Sequence, residues 1–170
     1  MMDCITLKAT TAADFEDYYK IRCSPADVFW NGYTSIPEKN SFRQLFLQRL
    51  ASSPFVEPED RNLYLICLPV NSQEETAKIG FIQLIKRADA VEIGYSVLEA
   101  YQGKGYATQA LRLGIELARK YAEHIIVRIR DDNVASQKVA LKCGFCRTDV
   151  YAEKEYPKSG IVKLRTYQLE

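Results

Sequence analysis

The 170-residue chain has one histidine, His124, and one tryptophan, Trp30. No apolar run approaches the roughly 20 residues that a membrane helix needs. Its first residues, MMDCITLKATTAADF, lack the charged-then-apolar layout of a signal peptide, so a cytoplasmic address is expected. Neither sign of charge is in excess: 23 Lys and Arg face 22 Asp and Glu, a formal charge of +1. Nothing general therefore draws the chain to nucleic acid or an anionic membrane, neither is expected as a partner, and any anion site must be local. No Pro/Gly/Ser-rich linker or internal repeat divides the chain, and residues 1–170 read as a single domain. The five cysteines (Cys4, Cys23, Cys67, Cys143 and Cys146) are odd in number and scattered, which argues against a disulfide framework and agrees with a reducing compartment. Cys143-x-x-Cys146 has no second pair to make a zinc ribbon. It also lies where Gly144 and Phe145 suggest a helix end, whereas a thioredoxin-like redox pair belongs near a helix start. Structural cysteines and no metal site are expected.

What is present is a regular alternation of strand and helix patterns. Cys4 to Ala9 reads as a short strand, and Ala12 to Cys23 as an amphipathic helix behind the cap Thr11. The stretch SPADVFWNGYTSIPEKN reads as irregular and aromatic. Helical spacing returns from Ser41 to Leu50 through Phe42, Leu45, Phe46 and Leu50. Two β-rich runs, Asn62 to Pro69 and Lys78 to Lys86, flank the polar loop NSQEE as antiparallel neighbours, and Val91 to Leu98 makes a third strand. From Ala107 on, Ala110, Leu111, Gly114, Ala118 and Tyr121 recur at helical spacing. His124 to Arg130 is a β-branched strand, Ala135 to Cys143 a short helix closing at Gly144, and Phe145 to Ala152 with Ile161 to Leu169 a last strand pair across PKSG. This order predicts an α/β domain with a mixed sheet.

The segment YQGKGYA, residues 101–107, joins a strand to the longest helical pattern. Free N–H groups at a helix start form a ready phosphate site, and Gly103 and Gly105 would let a pyrophosphate lie against the main chain with Lys104 adding charge. On spacing alone, an ordinary tight strand-to-helix turn remains open. Two better-known phosphate loops fit poorly. The P-loop's Gly-Lys-Ser/Thr is absent, and the pattern here is G-x-G-x-A past mid-chain, where a dinucleotide fingerprint would read G-x-G-x-x-G after an early strand.

Gln102-Gly103-Lys104-Gly105-Tyr106-Ala107 resembles the acetyl-CoA loop, Gln/Arg-x-x-Gly-x-Gly/Ala, of the GNAT family of N-acetyltransferases. Asn133-Val134-Ala135-Ser136, running on to Gly144-Phe145, resembles that family's Asn-x-x-Ser and terminal Gly-Phe block. The likeness is strongest from Val91 to Phe145. With EIGYSV preceding the loop, it is similar to the RimJ/RimL-like branch, which includes acetyltransferases of ribosomal-protein N termini and enzymes for small molecules. It implies a single GNAT-like domain, with a twisted, mostly antiparallel mixed sheet of about seven strands and about four flanking helices. It also implies acetyl-CoA as cosubstrate and a primary amine as acceptor: a protein or peptide N terminus, an amino acid or a small molecule.

The resemblance assigns the cofactor to main-chain groups at Val97 and Leu98, to Gln102 through Thr108, and to Asn133. Asn133 also suits the N-cap of its helix. Oxyanion-type polarisation of the thioester falls to Val97 and Leu98. Glu92 is the candidate general base, against an exposed strand-edge carboxylate. Where many relatives have a tyrosine acid, this chain has Ala140, so Ser136 is the candidate acid, or a tyrosine of the last strands reaches in. The aromatic segment, above all Trp30 and Tyr33, matches the acceptor-side wall, with Phe29 and Phe42 either wall or core and Tyr151 and Tyr156 facing it. How strong a base is needed depends on the amine. At pH 7 a lysine amine (pKa ~10.4) is only about 0.04% neutral, and an α-amine (~7.8) roughly 14%. The alternative function is a non-catalytic acyl-CoA-binding or sensing module. The acceptor's identity and the oligomeric state, a homodimer included, are not written in the sequence.

Overall fold

The computed structural model of the protein describes residues 4–51, 55–70 and 75–170. The polar loop NSQEE falls, but for Glu75, outside them. The described chain runs β1 (Thr6–Ala9), a 3-10 turn, α1 (Phe15–Arg22), α2 (Pro25–Trp30), α3 (Lys39–Ala51), β2 (Arg61–Pro69), β3 (Thr76–Lys86) and β4 (Ala90–Val97). After a second 3-10 turn come α4 (Tyr106–Ala118), β5 (His124–Arg130), α5 (Val134–Lys142), β6 (Phe145–Tyr156) and β7 (Gly160–Leu169). The seven strands form one sheet in the order β1-β2-β3-β4-β5-β7-β6. Every pairing is antiparallel except β4 with β5.

Each face of the sheet carries a helix layer, because alternate strand residues are apolar on both sides. On one face α4 buries Ala110 in a cluster with Ile79 and Val97 and, in a neighbouring one, Leu111, Ile115 and Ala118, at helical spacing, against Ile82, Leu84, Val91 and Ile93. Ala140 of α5 joins this cluster beside Val127 and Ile129 of β5. On the other face, Phe15, Tyr18 and Ile21 of α1 and Phe42 and Phe46 of α3 close over Leu63, Leu65 and Phe81. Phe42 is therefore core. Leu45, on the same helix, points outward and is 39% exposed. The seven strands and both hairpins lie where the sequence pattern puts them.

One helix was not anticipated. The aromatic segment contains α2, six residues long, with Ser24 as N-cap (Asp27 N–H to Oγ, 3.4 Å) and Pro25 at the first helical position. That Ser-Pro pair is the readable signal for it. Its short length hides any periodicity.

Gly114 sets how closely α4 approaches the sheet. A Cβ there would stand 2.4 Å from Cδ1 of Ile82, a side chain with no exposed surface. Gly114→Leu is therefore expected to lower the unfolding free energy by about 1–3 kcal/mol through overpacking. In urea titration the midpoint falls with little change in slope.

Candidate active site

The parallel β4–β5 pairing covers only Ala90↔His124, Val91↔Ile125 and Glu92↔Ile126, after which the strands part. β4 stays in register with β3 as far as Gly80↔Val97, and Leu98 N–H continues the ladder to the Ile79 carbonyl at 2.9 Å. Antiparallel alternation then fixes the parity. Leu98 and Ser96 face β3, so the peptide groups of Tyr95 and Val97 face the gap left by β5. The gap is thus edged by main-chain donors and acceptors with no strand opposite. The Val97 peptide group, expected to receive the cofactor, lies on this edge. The Leu98 N–H differs from it, being committed to Ile79, and Leu98 does not line the cavity beyond.

Past Val97 the chain turns into the glycine loop, held to the strand end by Gln102, whose Nε2 donates to the Val97 carbonyl at 2.8 Å. Gly103 and Gly105 have φ of +72° and +83°, the left-handed region that glycine alone occupies without strain. Gly105 is the N-cap of α4, so the N–H groups of the helix's first turn have no intrahelical partner. These groups, with Gly103, Gly105, Tyr106, Ala107 and Thr108, line one side of a cavity of about 390 Å³. Lys104 does not line it. Its ammonium donates to the Ala100 carbonyl at 2.9 Å and lies over the Tyr101 ring. The cavity's other side comes from α5, including Ala135, Ser136 and Val139, and Asn133 caps that helix by accepting from the Ser136 N–H at 3.1 Å. A long, partly apolar trough thus ends at two helix N-termini, an arrangement suited to a flexible ligand with an anionic end.

A second cavity, also about 390 Å³, opens on the α1/α3 face of the sheet. The two share Asp27, Trp30, Asn31, Tyr95, Asn133 and Ser136. At this junction the Tyr95 hydroxyl lies 2.8 Å from Ser136 Oγ and 3.4 Å from the Ser136 carbonyl. Burial pushes the Tyr95 pKa up to about 12, against the opposing pull of the Ser136 hydrogen bond. Tyr95 thus keeps its proton and can only donate or share it. Sequence reading passed over this residue, although it stands in the EIGYSV segment.

α2 roofs the junction and is pinned at both ends. Ala26 N–H donates to Glu99 at 2.6 Å, and the Tyr156 hydroxyl donates to the Trp30 carbonyl at 2.9 Å. Trp30 and Tyr33 both line the second cavity, as does Tyr156 of β6, while Tyr151 lies outside it, donating to Asp131 at 3.3 Å. Glu92 lines the cavity too, deep beside β5. Its carboxylate pairs with Arg87 at 2.7 Å and Arg128 at 3.3 Å, and its side chain is 12% exposed. The strand's rise of roughly 3.3 Å per residue puts it about 16 Å from Val97. Asp27 sits at the junction, but both its carboxylate oxygens are buried and its charge is matched by Arg22 at 3.3 Å. Burial raises the Asp27 pKa, with Arg22 opposing. Among the described residues no group of three or more His, Cys, Asp or Glu side chains is arranged to hold a metal ion, and all five cysteines are free.

A family model described as an acetyltransferase (GNAT) domain matches residues 5–146. No curated protein matches the chain. Among solved structures, spermidine N-acetyltransferase from Vibrio cholerae, in complex with CoA and spermine, is similar at a TM-score of 0.75 and 15% identity, over 96% of this chain and 94% of that one. An acetyl transferase from Salmonella typhimurium that modifies the N-terminal serine of ribosomal protein L7/L12 gives 0.74 and 20%, over 97% and 94%. AAC(6')-Ib, with paromomycin and acetyl-CoA, gives 0.70 and 19%, over 96% and 93%.

The left-handed glycines make the trough testable. A β-branched side chain at φ +83° is strained by about 1–3 kcal/mol and displaces the loop. Gly105→Val is expected to raise the calorimetric Kd for CoA at least ~10-fold, with the far-UV circular dichroism unchanged. An unaltered Kd would mean that the loop N–H groups do not hold the pyrophosphate.

Proposed function

The chain belongs to the GNAT acetyltransferase family, and from that premise we propose that it transfers an acetyl group from acetyl-CoA to an α-amine, by direct attack within a ternary complex. The observation that carries this reading is the pair of cavities that meet at Tyr95 and Ser136 beside the opened strand edge. The trough against the glycine loop receives the cosubstrate, with its pyrophosphate on the first turn of α4 and its pantetheine arm along β4 and Asn133. The Val97 N–H polarises the thioester carbonyl, and the amine enters from the second cavity between Trp30 and Tyr33. Holding both reactants at one junction supplies proximity, worth several orders of magnitude in rate. The five free cysteines suit a reducing, cytoplasmic setting.

The departing thiolate is met by the Tyr95–Ser136 pair. With cysteine as the model, a thiol pKa of ~8.5 lies about 3.5 units below that of Tyr95, so full proton transfer from the phenol is uphill by roughly 5 kcal/mol. The pair therefore stabilises the thiolate by hydrogen bonding, with Tyr95 holding Ser136 so that the serine hydroxyl faces the sulfur.

On the amine side, Glu92 is bound to two arginines and lies about 16 Å along the strand from Val97, and the Asp27 oxygens are buried. Glu92 thus serves to position Arg87 and Arg128, and the amine loses its proton to water. That requirement favours an α-amine, already roughly 14% neutral at pH 7, over a lysine-type amine at about 0.04%.

Thiol release from acetyl-CoA, measured across α-amino acids, N-terminal peptides and lysine-type amines, tests this reading. Turnover is expected with α-amines, and CoA binding without turnover on any acceptor would favour a sensing module. Tyr95→Phe and Ser136→Ala should each lower kcat by ~10-fold, with the double variant little worse than either; multiplicative losses would mean that the two act separately. Because Tyr95 titrates near 12, kcat should rise with pH to a plateau and show no tyrosine-derived fall below about pH 10.

A further inference from the structure

The second cavity is strongly cationic, although the chain as a whole is nearly neutral. Arg22, Arg49 and Arg61 line it from α1, α3 and β2. Arg87, Arg128 and Arg130 line it from the β3–β4 turn and β5, and Lys154 from β6. The carboxylates that line it are Asp27, Glu92 and Glu153, and Glu59 and Asp132 pair with Arg61 and Arg130 from outside. Arg49 aside, six cations thus face five carboxylates among the described residues even when the outer partners are counted. Glu92 is shared between two arginines. The buried Nε of Arg128 makes no hydrogen bond to any protein atom, and Lys154 forms no ion pair among the described residues. The field is visible in the groups themselves. Burial and then Arg22 and Arg61 lower the Lys154 pKa, though its side chain reaches the surface. Arg49 is lowered by burial and, among its neighbours, by Arg61 and Arg22.

The aromatic faces point the same way. A site for a polyamine would offer aromatic rings to its ammonium groups. Here Arg130 lies over Trp30 at 5.1 Å and over Tyr156 at 5.7 Å, and Lys154 lies over Tyr156 at 5.0 Å. Arg22 lies over Tyr33 at 5.8 Å and Phe81 at 5.2 Å. The rings already serve the protein's own cations. Guanidinium forks match carboxylates in geometry and charge.

We propose that the acceptor is an amine that itself carries carboxylate groups, read by the cationic cavity while the amine reaches the Tyr95–Ser136 junction. This deepens the acetyltransferase reading and rests on it. Spermine and aminoglycosides, the polycations bound by two of the similar structures, are the wrong sign for this cavity. The carboxylates belong either to a free amino acid or to the first residues of an acidic peptide, and the two sources are separated by assay.

Two readouts are needed. Turnover is measured with glutamate, with a peptide Ser-Asp-Glu-Ala, with its counterpart Ser-Lys-Lys-Ala and with spermidine. Binding of the same four to the CoA-saturated protein is measured by calorimetry at 50 and 300 mM NaCl. A carboxylate-bearing acceptor is expected to bind at least ~10-fold more tightly than the cationic pair, and to weaken several-fold at the higher salt. Glutamate or the acidic peptide, whichever binds better, names the source. Lys154→Glu and Arg61→Glu should each raise KM for that acceptor by ~10-fold without moving KM for acetyl-CoA. Preference for spermidine or the basic peptide, or equal binding of all four, would overturn the proposal. Binding without turnover would leave the charge reading standing and count against the acetyltransferase reading alone.

Discussion

The site depends on one constraint: β4 and β5 cannot remain paired beyond Glu92↔Ile126. A buried peptide group without a partner is costly, so strands normally stay zipped. Here β5 is drawn the other way, paired with β7 from Ile126↔Gln168 to Arg130↔Leu164, while β4 follows β3 as far as Val97. The separation leaves Tyr95 and Val97 with main-chain groups that a ligand can satisfy. It also makes room for the Tyr95 ring to reach α5. The glycine loop, the α4 N-terminus and the Asn133 cap are arranged around that opening. Gln102 closes the account for the Val97 carbonyl and so fixes where the loop begins.

The two sides of the opening differ in character because the sheet's two faces do. On the α4/α5 face the strands present Val91, Ile93, Val127 and Ile129 to an apolar core, and the trough there ends in helix N-termini. On the α1/α3 face the alternate positions Glu92, Arg128 and Arg130 point to the cavity. Packing like charges this closely is unfavourable, and the buried pair Arg22–Asp27 and the half-buried group Arg87–Glu92–Arg128 offset part of that cost. Aromatic rings beneath Arg22 and Arg130 contribute more.

The sequence pattern showed nearly all of the fold in advance, since the strands are apolar, β-rich runs bounded by turn residues and α4 has a wide apolar stripe. The elements that line the first cavity were legible as well, because they are local: a loop with two glycines and a capped short helix, each a contiguous motif. Three features were not legible, each for a physical reason. The engagement of Leu98 N–H follows from ladder parity, which depends on the partner strand's register. Tyr95 matters through a contact 41 residues away in sequence, with Ser136. The cationic cavity gathers one residue each from α1, α3, β2, β6 and a turn and two from β5, and a net charge of +1 conceals it because the compensating acids lie elsewhere. Glu92 illustrates the difference between type and placement. As a letter it reads as a base at the head of the cofactor strand, and in place it is an anchor for two arginines.

On the acceptor reading proposed above, the cavity's field also bears on the amine's reactivity. For scale, an uncompensated positive charge at ~10 Å and an effective dielectric near 20 disfavours an ammonium by roughly 1.7 kcal/mol, or about one pKa unit. For an α-amine near ~7.8 this raises the neutral fraction at pH 7 from roughly 14% to about 60%. A lysine-type amine shifted equally stays below about 1% neutral. With no accessible carboxylate at the junction among the described residues, that reading gives the cationic cavity part of what a general base would do, and only for amines that are already weakly basic. On that reading, selection by charge and selection by amine pKa converge on the same class of acceptor, because both follow from the cavity's arginines, two of which, Arg128 and Arg130, β5 carries where it leaves β4.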